Sequence, residues 1–274
     1  MRLAFSTLGV PGMPVPEVVR LAADGGFAGV ELRAHPEEPV HPGLSLTQRV
    51  DVVEAFKDAG VAVLCVAGYA RMAAPGADEP VLAETRALLE LARDLGAPYV
   101  RVFPGGGDPA EPGAPGLAES DATAVRRLSL AAPLAADLGV RLLLETHDSH
   151  RSGVDAARVL GAVRHPSAGA LWDVLHTWRA GESPEASLDV LAPHLGYVQV
   201  KDVGSAEDLT PLAPGDGVLP LAEVLSALAG RGLGDGWVCW EYERRWFPET
   251  PALPELLPGV RRRLRGLLET PAGT

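Results

Sequence analysis

The chain predicts one single-domain (β/α)8 (TIM) barrel over residues 1–274, and three observations carry that prediction. A helix end closed by glycine and followed at once by a short aliphatic run recurs along the chain. Eight such strand–helix units follow one another at a spacing of roughly 34 residues. No shift in composition and no linker divides the chain, which favours a closed barrel over a doubly wound sheet.

The recurring units are explicit in the residues. Ala23-Asp24-Gly25-Gly26 leads into Phe27-Ala28-Gly29-Val30-Glu31-Leu32, and Lys57-Asp58-Ala59-Gly60 into Val61-Ala62-Val63-Leu64-Cys65-Val66. Arg93-Asp94-Leu95-Gly96 precedes Ala97-Pro98-Tyr99-Val100-Arg101-Val102-Phe103, and Ala136-Asp137-Leu138-Gly139 precedes Val140-Arg141-Leu142-Leu143-Leu144-Glu145. Glycine at the left-handed position past a helix stops it, and the run behind reads as a buried strand. Near-continuous rather than alternating apolar strands indicate a parallel sheet covered by helices. The strands are expected at 3–7, 30–33, 61–67, 99–103, 141–145, 168–173, 196–201 and 237–241. The helices are expected at 15–24, 46–59, 81–95, 121–138, 154–163, 184–191, 219–229 and 253–268. Two Gly/Pro-rich loops, 104–116 after the fourth strand and 202–217 after the seventh, fall on the C-terminal side, where barrel enzymes keep their substrate loops.

Composition narrows the function. The apolar fraction of 47% fits a globular core. A formal charge of −12 argues against nucleic acid or an anionic membrane as the main partner. No apolar stretch approaches the roughly 20 residues of a membrane span. The start, Met1 to Val10, reads as a first strand rather than a signal peptide. Cys65 and Cys239 each lie inside an apolar run, which suits buried thiols and a cytoplasmic location. Arginine outnumbers lysine 22 to 2, which draws notice to Lys57 and Lys201.

Chemistry concentrates at the ends of the last four strands. Strand five ends Leu144-Glu145-Thr146-His147, and strand six ends Trp172-Asp173 with His176 just beyond. Strand seven reads Tyr197-Val198-Gln199-Val200-Lys201-Asp202, and strand eight ends Trp240-Glu241-Tyr242-Glu243. Alternation puts Gln199 and Lys201 on one face. Asp173 alone reads equally well as a helix cap or as a ligand. Two glutamates, an aspartate and an amide oxygen together suit a divalent ion such as Mn²⁺ or Mg²⁺, and carboxylates this close would otherwise repel. Around them, His35 and Tyr69 are candidate lining residues, and Arg244 with Trp246 candidate substrate contacts. His147 and His150 suit an orienting role or plain exposure. Lys201 suits either neutralisation of developing charge or an ion pair with Asp202 or a neighbouring acid. The Gly105-Gly106-Gly107 run lacks the lysine of a phosphate loop and carries little weight.

The chain resembles the xylose isomerase-like barrels of sugar isomerases and epimerases over its whole layout. The resemblance is strongest at Leu143 to His147, Leu171 to His176, Val198 to Asp202 and Glu241, and extends to Gly29-Val30-Glu31-Leu32-Arg33 and Gly215-Asp216-Gly217. It implies a metal held by Glu145, Asp173, Gln199 and Glu241, with glutamine standing where the family usually has histidine. It further implies Glu145 and Glu241 as the acid/base pair acting through an enediolate, with His176 and Lys201 on the substrate. A sugar or polyol substrate follows, with assembly into a homo-oligomer left open. The alternatives are a lyase or dehydratase on a keto-sugar or keto-inositol, an inactive barrel, and a DNA-repair endonuclease, the last disfavoured by acidic charge and too few histidines.

Overall fold

The computed structural model describes residues 1–107 and 115–269. Its barrel strands are β1 (Arg2–Ser6), β2 (Gly29–Arg33), β3 (Ala62–Arg71), β4 (Tyr99–Phe103), β5 (Arg141–Glu145), β6 (Ala168–Asp173), β7 (Leu195–Val200) and β10 (Trp237–Trp240). A short antiparallel pair, β8 (Asp202–Val203) and β9 (Pro211–Leu212), lies between the last two. The helices are α1 (Val15–Gly25), α2 (Leu46–Asp58), α3 (Asp78–Leu95), α4 (Leu117–Asp137), α5 (Gly153–Val163), α6 (Val174–Arg179), α7 (Pro184–Leu191), α8 (Leu221–Gly230) and α9 (Leu253–Glu269). The eight long strands close in the order β1-β10-β7-β6-β5-β4-β3-β2, so the expected barrel forms.

The glycine punctuation works as read. Gly26, Gly60, Gly96 and Gly139 have φ of 68, 65, 69 and 68°, the left-handed region that side chains with a Cβ avoid. Strict alternation is broken at two places, by the β8–β9 pair after β7 and by an extra helix after β6. The six-residue α6 starts directly at the end of β6, because Asp173 Oδ1 accepts the backbone N–H of Leu175 at 2.9 Å and caps it. The third strand also runs four residues further than expected, to Arg71. Arg127 of α4 explains how that extension is held. Its fully buried guanidinium donates to the carbonyls of Arg71, Met72, Ala74, Gly76 and Ala77 and pairs with Asp78 at 2.8 Å. Of the 104–116 loop, residues 108–114 lie outside the described residues.

Two apolar layers bracket the strands. One fills the space between strands and helices, with Val198, Val200, Leu142 and Leu144 among its members. The other plugs the barrel interior with Ala4, Leu64, Cys65, Leu143, Leu171, Tyr197, Trp237 and Cys239. Two residues along each strand, the inward positions turn polar: Arg101 after Tyr99, Glu145 after Leu143, Asp173 after Leu171, Gln199 after Tyr197 and Glu241 after Cys239. All five are 5% exposed or less. Period-two alternation therefore delivers the expected strand-end set to one level at the C-terminal mouth.

Candidate active site

The mouth opens on a cavity of about 410 Å³ lined by Tyr69, Arg71, Arg101, Phe103, Glu145, His147, Asp148, Lys201, Glu241, Glu243 and Trp246, together with Leu8. A second cavity of about 330 Å³ shares His147, Asp148 and Glu243 with it and adds Arg151, His176, Arg179, Leu175 and Leu209. Both expected acid/base residues face the first cavity. His176 lines the second.

Lys201 stands at the centre of the acids. Its Nζ lies 2.8 Å from Asp173 Oδ2 and 2.7 Å from Glu243 Oε1, and it contacts Glu241 Oε2. Burial alone would discharge this amine. The surrounding carboxylates of Asp173, Glu241 and Glu243 reverse that and hold it well above its ordinary range. The pairing with Asp202 considered from sequence is not formed. Asp202 instead accepts the backbone N–H groups of Val203, Gly215, Gly217 and Leu219, clamping the loop after β7.

Opposite Lys201, Arg101 sits over the ring of Phe103 with its guanidinium 3.9 Å from the centroid, and its Nε lies 3.2 Å from Glu145 Oε2. The alignment is poor, and Arg101 Nε and Nη1 are both buried without a hydrogen-bond acceptor among the described residues. Burial pushes the Glu145 carboxyl up to about 8, against the pull of Arg101 and His147 and with a further push from Glu241 and Asp173. His147 is raised by its contact with Asp148 and by Glu145, against its own desolvation. His176 is lowered well below the ordinary value, first by burial and then by His147 and Lys201. The rings of His147 and His176 lie 4.1 Å apart.

The donor set passes a test for a divalent ion. Gln199 Oε1 is buried and without a hydrogen-bond donor among the described residues, while the buried Glu145 Oε2 and Asp173 Oδ2 each lie beside a cation, Arg101 Nε at 3.2 Å and Lys201 Nζ at 2.8 Å, without a well-aligned hydrogen bond. All three belong to the ligand set expected from sequence, and all are hard oxygens. Among the described residues, the carboxyl groups of Glu31, Glu145, Asp173, Glu241 and Glu243 outnumber the cations Arg71, Arg101 and Lys201 around the mouth, and the crowding that adds to burial in raising Glu145 and Glu31 is of the kind a bound cation would relieve. Glu145, His147 and His176 form a second grouping, with ligand atoms within 4.8 Å of one another.

Other expectations divide. Tyr69 lines the cavity, its hydroxyl accepting from Arg33 Nε at 2.6 Å. His35 does not line it; the ring packs edge-on against Tyr69 at 5.5 Å and faces Glu37. Arg244 does not line it either, being turned onto the carbonyl of Thr250 at 3.3 Å. His150 is fully buried between Ser149 and Asp121, a structural role. Sequence reasoning passed over Arg101, Arg71, Glu243 and Glu31. The signal for two of them was present: a charged residue in the middle of an otherwise buried strand, at Arg101 and at Glu31.

The profile of the xylose isomerase-like TIM barrel family matches residues 19–263. A putative hydroxypyruvate isomerase of Streptomyces coelicolor is 30% identical over 276 residues, covering 91% of this chain and 92% of the relative. A 3-dehydroshikimate dehydratase of Bacillus anthracis is 24% identical over 220 residues, covering 76% of each. Among solved structures, the IolI protein with a bound zinc atom superposes with a TM-score of 0.82 at 18% identity, covering 98% of both chains. A closed eight-stranded barrel, a strand-end acid cluster at its mouth and a profile match across most of the sequence lead to one assignment: the chain belongs to the xylose isomerase-like TIM barrel family.

Proposed function

We propose that this chain is a divalent-metal-dependent enzyme that isomerises or epimerises a small hydroxy-ketone of the sugar or polyol class through an enediolate. The observation that carries the reading is the pair Glu145 and Glu241, two carboxylates that face one cavity from separate strands in unlike surroundings. Glu241 sits against the Lys201 ammonium, and Glu145 lies in a buried position that raises its carboxyl. Unlike environments of this kind separate the two roles of an acid/base pair.

Glu241 takes the proton from the carbon beside the substrate carbonyl, and Glu145 exchanges a proton with the substrate from across the mouth. Lys201 places fixed positive charge beside the oxygens on which negative charge develops. Arg101 Nε and Nη1 offer two unspent N–H donors to a substrate oxygen. Glu145, Asp173, Gln199 and Glu241 would hold the metal, which supplies polarisation of the carbonyl and stabilisation of the enediolate.

A second reading is a dehydratase acting on an acidic keto-polyol. Its support is the cationic lining, since Arg101 and Arg71 offer a substrate carboxylate more positive charge than a neutral sugar needs. The named substrates of both sequence relatives, hydroxypyruvate and 3-dehydroshikimate, are keto acids. Incubation of the Mn²⁺-loaded protein in deuterated water with a panel of ketoses and keto acids, read by mass spectrometry, separates the readings. Isomerisation or epimerisation conserves substrate mass apart from deuterium uptake, whereas dehydration loses water. Glu241→Gln is expected to stay folded and lose turnover; retained turnover overturns the two-glutamate scheme.

A further inference from the structure

We propose that Glu31 is the positioning residue that decides which end of the Gln199 amide is left for a cation. The proposal rests on the reading of Gln199 as a ligand. Glu31 points inward from β2 and is 0% exposed, as is Gln199 on β7. Gln199 Nε2 lies 3.0 and 2.9 Å from the two Glu31 oxygens and 3.2 Å from Glu241 Oε1.

Three carboxylate oxygens therefore crowd one end of the amide. Only an N–H₂ group satisfies them; a carbonyl oxygen there would face three acceptors and no donor. Glu31 itself is held from below, its Oε2 accepting the Tyr197 hydroxyl in a short contact. With Nε2 pinned, Gln199 Oε1 is turned away from Glu31, and it is the end that finds no donor among the described residues. Glutamine can ligate a hard ion only through that oxygen. A carboxylate that lines neither mouth cavity thus acts on the site through another side chain, as partners behind metal ligands commonly do.

The test is Mn²⁺ titration calorimetry on the metal-free full-length protein, comparing wild type, Glu31→Gln, Gln199→Leu and the double variant, with thermal unfolding as a check of folding. A glutamine at position 31 can donate as well as accept, so it releases the orientation of Gln199. The expected result is Mn²⁺ binding weakened about 10–100-fold in Glu31→Gln, and a double variant no weaker than Gln199→Leu alone. Tyr197→Phe keeps the Glu31 carboxylate but loosens its hold, and is expected to weaken Mn²⁺ binding by less than Glu31→Gln does. If Glu31→Gln does not fold, Glu31→Asp withdraws the carboxylate and is expected to show the same weakening. Undiminished binding in the position-31 variants, or an equal additional loss in the Gln199→Leu background, overturns the positioning role alone. A wild-type protein that binds no Mn²⁺ overturns the ligand reading with it.

Discussion

Lys201 Nζ lies 2.8 Å from Asp173 Oδ2 while Asp173 Oδ1 accepts the backbone N–H of Leu175, so one carboxylate both caps a helix and faces the buried ammonium. The two roles weighed for Asp173 from sequence are divided between its two oxygens. Substituting Asp173→Asn tests this: the cap survives through the remaining oxygen, and the ion pair is lost. Helical content by circular dichroism is expected to hold while turnover falls by at least about 10²-fold.

Removing the cation has the opposite electrostatic effect. Lys201→Met leaves Asp173, Glu241 and Glu243 facing one another without an ammonium between them. The metal-free variant is expected to lose about 3–5 kcal/mol of stability in denaturant unfolding, the usual cost of stranding buried charge. Millimolar Mn²⁺ is expected to return a large part of that loss, and a variant indifferent to Mn²⁺ would count against a divalent ion at this level.

Arg127 offers a prediction remote from the chemistry. Its guanidinium holds five carbonyls of the turn behind β3, and Arg71 at the end of that strand lines the cavity. Arg127→Met is expected to cost about 3 kcal/mol in urea unfolding, through the carbonyls left unsatisfied. Because Arg71 then loses its anchor, KM is expected to rise more than kcat falls.

The partner of Arg127 sets an acid-side pH dependence. Hydrogen bonds from Arg126 and Arg127 hold the Asp78 carboxyl well below the usual carboxylate range. A carboxyl lowered in the folded state contributes stability that is present above its unfolded value, near 3.8, and lost as pH falls through the lowered one. Thermal midpoints recorded on acidification below about pH 4 are therefore expected to drop more steeply in wild type than in Asp78→Asn.

Gly217 is a close-packing site. A Cβ there would sit 2.3 Å from both Asp202 Oδ1 and the Val203 carbonyl, so alanine must displace the carboxylate that clamps the loop after β7. Gly217→Ala is expected to cost about 1–3 kcal/mol in stability. Lys201 is the residue next to that clamp, and turnover is expected to fall along with stability.

The barrel was legible because its signals are local. Glycine past a helix end and a run of aliphatics each speak for the few residues around them, as Gly26, Gly60, Gly96 and Gly139 do. The level of Glu145, Asp173, Gln199 and Glu241 was legible for the same reason: each ends a recognisable strand. The partners were not. Arg101 meets Glu145 from the neighbouring strand, and Glu31 meets Tyr197 and Gln199 across the closed barrel, in a register that no short window of sequence encodes. His35 and Arg244 failed as lining residues because position after a strand fixes a neighbourhood but not a direction. Helix α6 was missed because six residues are too few to show a helical period.

The apolar plug inside the strands carries a consequence for how such a protein can change. Tyr197 belongs to that plug and also touches Glu31, so the floor of the barrel is in direct contact with the polar level above it. Cys65 and Cys239 pack in the same floor, and a bulkier or smaller side chain at either would tilt the phenol ring. Selection acting on packing alone would then shift the polar side chains overhead. Variants that alter rate or metal preference without touching the mouth should therefore be sought among residues that never meet substrate.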